Sequence, residues 1–342
     1  MGEPDPDLWP RTLQKLVSHG SLSADESAEA MRAVMAGDVT PGQIGGFLMA
    51  LRTKGETVDE LEGLARAVLE FANPVTPPVP VVDTCGTGGD RRGTFNISTL
   101  AAVVAAGGGV PVAKHGNRAA SSSCGSADLL EALGVRIDLG AAGVERCLAE
   151  AGIGFMFAPV FHPAFGHAGP VRRELRVPTS FNFLGPLTNP ARPAAQVVGV
   201  SDARMLPLMA EVLARRGTRA KLFRGEDGLD ELTTTGPSLV LDVRDGEVRQ
   251  TALDPERIGI SRASPDDLRG GDAGQAAAIA RSILGGERGP RRDVVLLNAA
   301  AALEVAGAAA GLEAGLALAA ASIDEGKAAA ALERWVAVSN DG

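Results

Sequence analysis

The pattern of apolar and polar positions changes at a proline-rich segment, residues 73–80. Before this segment, polar residues are spaced like the starts of helices. Ser23 and Thr57 each stand three residues before a glutamate, a pattern in which the two side chains satisfy free amides of a first helical turn. The four prolines of the segment exclude a helix and stiffen the chain. We therefore predict a small all-helical domain over residues 1–72, followed by a domain boundary.

Beyond the boundary, short apolar runs end in glycine or polar turns and alternate with Ala- and Leu-rich stretches of helical length. This alternation is typical of an α/β domain whose mainly parallel central sheet is flanked by helices. Residues 162–190 break the alternation, and we predict that this segment returns to the helical domain. The large α/β domain then comprises residues 79–161 and 191–342. The predicted strands are residues 79–82, 110–113, 154–159, 196–200, 220–223 and 239–243.

Composition and charge narrow the class of protein. Of the 342 residues, 45% are apolar and 4% aromatic, which predicts a folded protein with little material for stacking nucleic-acid bases. Acidic residues outnumber basic ones by 42 to 33, and the net charge of -9 argues against binding a phosphate polymer. Three cysteines without a CxxC pattern indicate neither a disulfide framework nor a zinc site. Since neither a signal pattern nor a membrane-spanning stretch is evident, we predict a cytoplasmic protein.

A glycine-rich loop follows the first predicted strand. Residues 83–90 read Asp-Thr-Cys-Gly-Thr-Gly-Gly-Asp, and residues 96–99 then open a helix. Glycines let backbone amides approach an anion closely, and the start of a helix adds unpaired amides, so we interpret the loop as a phosphate cradle. Such a loop alone is equally often a tight turn. The sequences typical of P-loop ATP binding and of dinucleotide binding do not occur at this loop.

A basic segment, residues 114–118, follows the next predicted strand. The carboxyl ends of adjacent parallel strands meet at one edge of a sheet, so this segment and the glycine loop should face one crevice. Only 5 of the 33 basic residues are lysines, and we interpret Lys114 as a point charge for phosphate rather than a solvated strand end. The serines at 121–123 fit a polar turn as well as a ligand contact, and His115 fits a structural role equally well.

Two acids and one arginine complete the candidate chemistry. Asp230 and Glu231 follow another predicted strand, so they should reach the same edge of the sheet. Adjacent carboxylates are usually only solvated, but opposite a phosphate cradle they would hold Mg²⁺, with the hydroxyl of Ser98 as a further ligand. Arg172 is a candidate for clamping a carboxylate, although a surface ion pair with Glu174 explains its spacing almost as well.

The ordered set of segments resembles the anthranilate phosphoribosyltransferases over nearly the whole chain. The resemblance implies transfer of the phosphoribosyl group of 5-phosphoribosyl 1-diphosphate to the amine of anthranilate. The products are N-(5-phosphoribosyl)anthranilate and diphosphate, in tryptophan biosynthesis. The resemblance also implies a fold similar to that of class II pyrimidine nucleoside phosphorylases and a homodimer formed through the helical domain. The segments are GTGGD at 86–90, NIST at 96–99, KHGNR at 114–118, GSAD at 125–128, FNFLGPLTNP at 181–190 and the acids at 230–231.

The resemblance also implies particular binding residues. Mg²⁺ would be the cofactor, held by Ser98, Asp230 and Glu231, and anthranilate would contact Gly86, Asn117 and Arg172. No catalytic acid or base is assigned, because an aryl amine is already unprotonated at neutral pH. The implied contacts of 5-phosphoribosyl 1-diphosphate are Gly86, Gly89, Asp90, Thr94, Asn96, Ile97, Ser98, Thr99, Lys114, His115, Gly116, Asn117, Arg118, Ala119, Ala120, Ser121, Ser122 and Ser126.

Two alternatives from the sequence stay open at this point. A pyrimidine nucleoside phosphorylase would share the glycine loop and the basic strand end, but the segments around Asn117 and Arg172 fit it poorly. A noncatalytic nucleic-acid-binding relative of the same fold would lack the metal-binding acids and carry a basic surface. The retained acids at 230–231 and the net charge of -9 disfavour it.

Overall fold

Helices cover both faces of one sheet in the computed structural model, which describes residues 6–119 and 123–341. The strands are β1 (Val82–Gly86), β2 (Val112–Gly116), β3 (Ile153–Phe157), β4 (Ala195–Gly199), β5 (Arg219–Gly225), β6 (Ser238–Arg244) and β7 (Glu247–Leu253). The first helices are α1 (Leu8–Val17), α2 (Ala24–Ala36), α3 (Pro41–Lys54), α4 (Val58–Glu70), α5 (Ile97–Gly107), α6 (Ser126–Ala132), α7 (Ala141–Glu150) and α8 (Ala158–Phe161). They are followed by α9 (Phe165–Leu175), α10 (Phe181–Leu184), α11 (Met205–Arg215), α12 (Ala273–Leu284), α13 (Pro290–Val305), α14 (Leu312–Asp324) and α15 (Lys327–Asn340). Single 3-10 turns lie at Gly185–Leu187, Pro255–Ile258 and Pro265–Leu268.

Local sequence explains the helices of the first 70 residues. Ser23 and Thr57 cap α2 and α4, and in each case the glutamate three residues later returns a hydrogen bond to the capping residue's amide. The α9 helix packs on α2 and α3, and α10 contacts α4. The segment that interrupts the alternation of strands and helices therefore packs against the N-terminal helices.

The sheet has the order β3-β2-β1-β4-β5-β6-β7. Strands β1 to β5 are parallel, whereas β6 and β7 are antiparallel to their neighbours. The predicted fold class, a mainly parallel sheet flanked by helices with a small helical domain, is confirmed. Among the described residues, no helix is both long and apolar enough to cross a membrane.

Strand boundaries differ from the predicted ones in an informative way. The first predicted strand, residues 79–82, begins at Val82 instead and continues to Gly86, and β2 extends through Lys114 and His115. Prolines precede both strands, and the polar residues in their second halves are buried. Of the other predicted strands, 154–159 and 196–200 are shifted toward the N-terminus, whereas 220–223 and 239–243 are longer in the structure, in each case by at most two residues at an end. The β7 strand was not predicted, because its residues are almost all exposed and give no apolar run.

Two apolar cores hold the layers together. One core lies between the sheet and the helices α5, α12, α13 and α15. The other contains the N-terminal helices together with α11 and residues from the opposite face of the sheet, including Val198, Leu222 and Leu241. The helical layer is therefore joined to the α/β layer by shared apolar packing.

Candidate active site

The order of the strands reverses between β1 and β4, and a crevice is expected at their carboxyl ends. The chain passes from β1 outward to β2 and β3, then returns to place β4 on the other side of β1. Ligands of α/β proteins bind beyond the carboxyl ends of strands at such a point. Gly86 and Gly199 are paired there, and a Cβ on them would stand 2.5 Å from Asp230 Oδ2 and 1.6 Å from the Asp230 carbonyl oxygen, respectively. The two glycines thus let Asp230 enter the crevice.

Asp230 and Glu231 connect three segments of the chain. The amide of Gly88 donates to Asp230 Oδ2 over 2.7 Å, and the amide of Ser98 donates to Glu231 Oε1 over 3.1 Å. Burial raises the pKa of both carboxyl groups; the charge of Asp90 adds to the effect on Asp230, and that of Asp230 to the effect on Glu231. The two carboxyl groups are therefore buried side by side, and a cation that binds their oxygens would compete with protons for them.

The donor set fits Mg²⁺. Two carboxylates and the hydroxyl of Ser98 are oxygen ligands of the kind that Mg²⁺ prefers, and a diphosphate would supply the remaining oxygens. Within residues 6–119 and 123–341, no three His, Cys, Asp or Glu side chains are grouped closely enough to form a metal site. Asp230, Glu231 and Ser98 therefore fit an ion that is held jointly by protein and substrate.

Lys114 lies inside the sheet rather than at a solvated strand end. Its side chain is buried, and the ammonium donates to the carbonyl of Thr84 and approaches Ser98 Oγ at 3.5 Å. This places a positive charge between β1 and the acid pair, beside the start of α5. The interpretation of Lys114 as a charge for phosphate stays a prediction.

A buried carboxylate that the sequence analysis did not single out, Asp83, supports this region. Strands β1 and β2 share a single paired position, Val82 with Val112, and then separate. Asp83 is fully buried at the separation, where its two oxygens accept hydrogen bonds from the His115 amide at 3.2 Å and from Asn189 Nδ2 at 2.8 Å. The separation makes room for the Lys114 side chain.

Amides of the glycine loop provide the donors for an anion. Gly88, Gly89 and Gly93 have positive φ angles of 68°, 82° and 65°, which glycine adopts without strain. The amide of Gly88 is already bound to Asp230, whereas those of Gly89, Asp90 and Arg91 have no acceptor among the described residues. The loop therefore has three consecutive amides that no described residue engages.

The expectation that α5 adds unpaired amides is wrong. The amides of Ile97 and Thr99 bond to nearby carbonyl oxygens, and that of Ser98 bonds to Glu231. The carboxylate already occupies the partly positive start of the helix, so this helix end acts on the acid pair rather than directly on a phosphate. The side chains of Ile97 and Thr99 are also buried.

The residues of the basic segment at the end of β2 differ in their burial and in their partners. His115 is buried, and its Nδ1 lies 3.1 Å from the carbonyl oxygen of Gly185. Arg118, by contrast, pairs with Asp128 at 2.8 Å and Glu131 at 2.5 Å, so it is engaged with α6. The exposed Asn117 accepts a bond from Ser126 Oγ at its carbonyl oxygen, 3.1 Å away. Ala120, Ser121 and Ser122 lie outside the described residues.

The other predicted contacts lie around these groups. Ala119 donates its amide to Asp128 over 3.1 Å, and Asn96 Nδ2 donates to the Cys124 carbonyl over 3.2 Å. Thr94 forms an isolated β-bridge with Arg269. A Cβ on Gly116 would stand 2.3 Å from Ser126 Oγ, so these two segments touch. Hydrogen bonds or close approaches thus link Ala119 to Asp128, Asn96 to Cys124 and Gly116 to Ser126, whereas the assignment of the whole set as substrate contacts stays a prediction.

Arg172 stands at the end of a row of rings. Its guanidinium lies 5.0 Å from the ring centre of Phe181, which contacts Phe165, and Phe165 stacks on His162. Within the described part of the chain, Arg172 forms no ion pair, so the alternative pairing with Glu174 is not formed. Burial lowers the pKa of its guanidinium. A largely buried cation without a counter-charge is suited to receive a carboxylate.

The row of rings joins Arg172 to the crevice. The rings of His162 and His115 lie with their centres 5.0 Å apart, and burial lowers the pKa of both, so each is neutral near pH 7. His162 was not among the predicted site residues. The signal it offers is chain order alone, since it opens the segment that interrupts the strands and helices.

Comparison with known proteins identifies the family. Residues 78–329 match the glycosyl transferase family, a/b domain, and residues 10–72 match its helical bundle domain. The anthranilate phosphoribosyltransferase of Arthrobacter sp. (strain FB24) is 56% identical over 339 residues, which cover 97% of this chain and 96% of the relative. The chain belongs to the anthranilate phosphoribosyltransferase family. The predicted family and its transferase activity are thereby confirmed, and the two alternatives are not supported.

Solved structures of the family agree with this assignment. The anthranilate phosphoribosyltransferase from Thermus thermophilus has a TM-score of 0.91 and 48% identity, covering 96% of this chain and 99% of that one. The Saccharomyces cerevisiae enzyme in complex with PRPP and Mg has a TM-score of 0.92 at 27% identity, with both chains fully covered. The same yeast enzyme in complex with 4-fluoroanthranilate has a TM-score of 0.89 at 26% identity, covering 99% of this chain and 100% of that one.

Proposed function

We propose that the crevice at the carboxyl ends of β1 and β4 is where this chain transfers the phosphoribosyl group of 5-phosphoribosyl 1-diphosphate to the amine of anthranilate. The observation that supports this most is the joining of the glycine loop and the start of α5 to one buried acid pair. Gly88 donates to Asp230 and Ser98 donates to Glu231, with Lys114 close by. The chain thereby brings anion donors and metal-binding oxygens to one place.

The diphosphate is held from two directions. The amides of Gly89, Asp90 and Arg91, which have no acceptor among the described residues, would donate to the anion from the loop, and Lys114 supplies a positive charge from within the sheet. Bound Mg²⁺, on Ser98, Asp230 and Glu231, would neutralise negative charge that grows on the departing diphosphate. These groups stabilise the leaving group as positive charge develops at the sugar carbon.

Anthranilate binds on the side of the crevice that faces α9. Arg172 pairs with its carboxylate, while Gly86 and Asn117 line the approach to the sugar. No side chain is needed to remove a proton before attack, because an aryl amine is unprotonated at neutral pH. The neutral rings of His115 and His162 lie between Arg172 and the diphosphate residues. The chain thus orients the amine rather than activating it.

Loss of anthranilate fluorescence tests this function. Anthranilate, 5-phosphoribosyl 1-diphosphate, Mg²⁺ and the full chain are mixed, and each component is omitted in turn. Glu231→Gln should reduce Mg²⁺-dependent turnover by about 100-fold, since it removes one charge from the metal site. The control, Glu226→Gln, changes an exposed acid of the same loop and should match the parent. Unchanged Mg²⁺ dependence in Glu231→Gln would contradict the metal site.

The domain organisation belongs to the same proposal. The helical domain comprises residues 1–72 with the returning segment of about 162–190, and the α/β domain comprises residues 79–161 and 191–342. The proposal is supported by the packing of α9 on α2 and α3. Limited proteolysis should cut first within residues 73–80, and initial cleavage inside the α/β domain would argue against this boundary.

We also propose a homodimer formed through the helical domain, in the cytoplasm. Val17, at the end of α1, is 67% exposed, which leaves an apolar side chain for a second copy to cover. Cys85 and Cys147 are buried free thiols, as is usual in a reducing compartment. Light scattering should give twice the mass of one chain, and Val17→Glu should lower it; a monomeric parent would contradict the dimer.

A further inference from the structure

A second cavity lies between the helical layer and the α/β layer, at the end of the sheet opposite the crevice. Its volume is about 650 Å³, within the range of small-molecule sites. One wall is a single face of α4, and the others come from residues 186–196 and the end of α11 with the turn that follows it. The cavity borders the start of β4, whereas the crevice lies beyond its end.

Three arginines line the cavity, and their hydrogen-bonding capacity is not fully used. Arg216 pairs with Glu62 at 2.9 Å and donates to the Leu187 carbonyl at 2.7 Å, but its Nη2 is buried without an acceptor in the described chain. Arg66 pairs with Asp25, and its Nε is likewise buried without an acceptor among those residues. These two nitrogen atoms are enclosed by the protein, so both guanidinium groups contribute to the cavity through their positive charge rather than through these donors.

The third arginine carries charge that no described residue balances. Arg192 lines the cavity and makes no ion pair within residues 6–119 and 123–341. The two acids in the lining are already engaged, Glu62 with Arg216 at 2.9 Å and Glu70 with Arg32 at 2.5 Å. The cavity therefore has a net positive charge in a protein whose overall charge is -9.

The rest of the lining is apolar. Leu69, Leu187 and Leu213 come from three different segments, and Pro186 and Pro193 extend the same surface. Guanidinium groups beside apolar walls suit a molecule that has an anionic group at one end and an apolar body. We propose that this cavity binds a small organic monoanion with an apolar body, at a site separate from the reaction crevice.

Asn189 links the cavity to the crevice through hydrogen bonds. Asn189 lines the cavity, and its Nδ2 donates to Asp83 at 2.8 Å and to the Ala113 carbonyl at 2.9 Å. Asp83 in turn accepts the amide of His115 in the crevice. The two sites are thus adjacent through a buried hydrogen-bond chain, yet have separate linings.

Binding of 8-anilinonaphthalene-1-sulfonate tests the proposal. This aromatic monoanion becomes fluorescent in apolar surroundings, and it is titrated into the full chain with the crevice filled by 5-phosphoribosyl 1-diphosphate and Mg²⁺. Arg192→Glu should weaken its binding about tenfold, because the variant opposes the anion with a negative charge. Ala194→Phe should weaken it similarly, because the larger side chain fills the cavity without removing a charge. The control is Arg334→Glu, an exposed arginine of α15 outside the lining.

The outcomes separate the proposal from general dye binding and from the transferase function. Weaker binding in both cavity variants, with parental binding in Arg334→Glu, supports the proposal. Equal affinity in all four proteins would overturn it, as would release of the dye by substrate and Mg²⁺. Thermal unfolding is measured for each variant, and if Arg192→Glu does not fold, Ala194→Phe decides. Fluorescence loss of anthranilate, followed separately, reports the transferase activity whether or not the cavity binds the dye.

Discussion

At the scale of single residues, the buried carboxyl group of Asp83 supports the crevice through its hydrogen bonds and its proximity to Lys114. It is fully buried between β1 and β2 and replaces ladder bonds that the separated strands do not make. Burial raises the pKa of its carboxyl group, and the nearby charge of Lys114 opposes that rise. When Asp83 is ionised, its charge and that of Lys114 attract each other inside the sheet.

Replacing this acid by its amide should impair substrate binding more than folding. Asp83→Asn keeps the size of the side chain but removes the charge beside Lys114. We expect kcat/KM for 5-phosphoribosyl 1-diphosphate to fall by about 10- to 100-fold, which is the usual effect of removing a residue that orients a ligand-binding side chain. Steady-state kinetics and thermal unfolding measure the two effects. A large loss of stability with unchanged kcat/KM would show that Asp83 serves folding alone.

The acid pair predicts a pH dependence with a definite sign. Burial and neighbouring negative charge raise the pKa of Asp230 and Glu231, so these groups hold protons at pH values where ordinary carboxyl groups are ionised. A proton and Mg²⁺ compete for the same oxygens. The KM for 5-phosphoribosyl 1-diphosphate at fixed, subsaturating Mg²⁺ should therefore fall as pH rises from about 6 to 8. Saturating Mg²⁺ should flatten the profile, and a KM that rises over this range would contradict the competition.

The sequence could predict that some of the candidate residues lie close together, but it could not predict all of their partners. Asp230, Glu231 and Lys114 follow predicted strands, and their proximity could be predicted because parallel strands end together. Arg118 and Asp83 show where this reasoning fails. The acids that engage Arg118 are 10 and 13 residues away, and the partners of Asp83 are 32 and 106 residues away. Only the folded chain shows these pairings.

At the scale of elements, two glycines decide whether the loop after β5 can reach the crevice. Gly199→Ala would place a Cβ 1.6 Å from the carbonyl oxygen of Asp230, so the backbone must move. We expect a loss of about 1–3 kcal/mol in the free energy of unfolding, and a fall in Mg²⁺-dependent turnover of at least about tenfold. Chemical denaturation and the anthranilate assay measure these effects.

The matched control for this substitution is Gly42→Ala. Gly42 lies in α3, and the nearest atom to its added Cβ is Thr40 Oγ1 at 4.0 Å. Alanine favours a helix over glycine by about 1 kcal/mol, so this variant should be as stable as the parent or slightly more stable. Parental turnover in Gly199→Ala would mean that the loop reaches the metal site without this close approach.

The existence of most elements could be predicted, whereas their ends could not. Capping residues such as Ser23 act within one turn, so the helix that they open is visible in the sequence. Strand ends depend on neighbouring strands: β1 and β2 continue into polar residues because buried partners satisfy them. The exposed β7 is formed by pairing with β6 rather than by burial of an apolar run. Long-range pairing therefore accounts for the elements that were misplaced or missed.

At the scale of the whole molecule, the two substrates depend on different layers. The proposed diphosphate and metal residues belong to the α/β layer, whereas Arg172 lies on α9, which packs against α2 and α3. Ion pairs join the layers at both ends of the sheet, and the pair of Arg216 with Glu62 at the cavity is one of them. Arg52 of α3 bonds to Asp202 at 2.7 Å, on the crevice side of β4, and Arg215 bonds to Asp59 at 2.6 Å near the other end of the sheet. The distance between Arg172 and the diphosphate therefore depends on how firmly the layers are joined near the crevice.

Breaking the pair on the crevice side should affect one substrate selectively. Asp202→Asn removes the acid that Arg52 bonds at 2.7 Å and leaves only Glu56, 3.8 Å away in the same helical layer; both side chains of the broken pair are about four-fifths buried, at 20% and 21% exposure. The helical layer should then hold Arg172 less firmly, so KM for anthranilate should rise by about three- to tenfold while KM for 5-phosphoribosyl 1-diphosphate stays near the parental value. The control, Asp59→Asn, breaks a pair whose side chains are about half exposed, and such pairs contribute at most about 1 kcal/mol. It should leave both KM values unchanged. Equal increases in KM for the two substrates in Asp202→Asn would contradict the assignment of anthranilate binding to the helical layer and of diphosphate binding to the α/β layer.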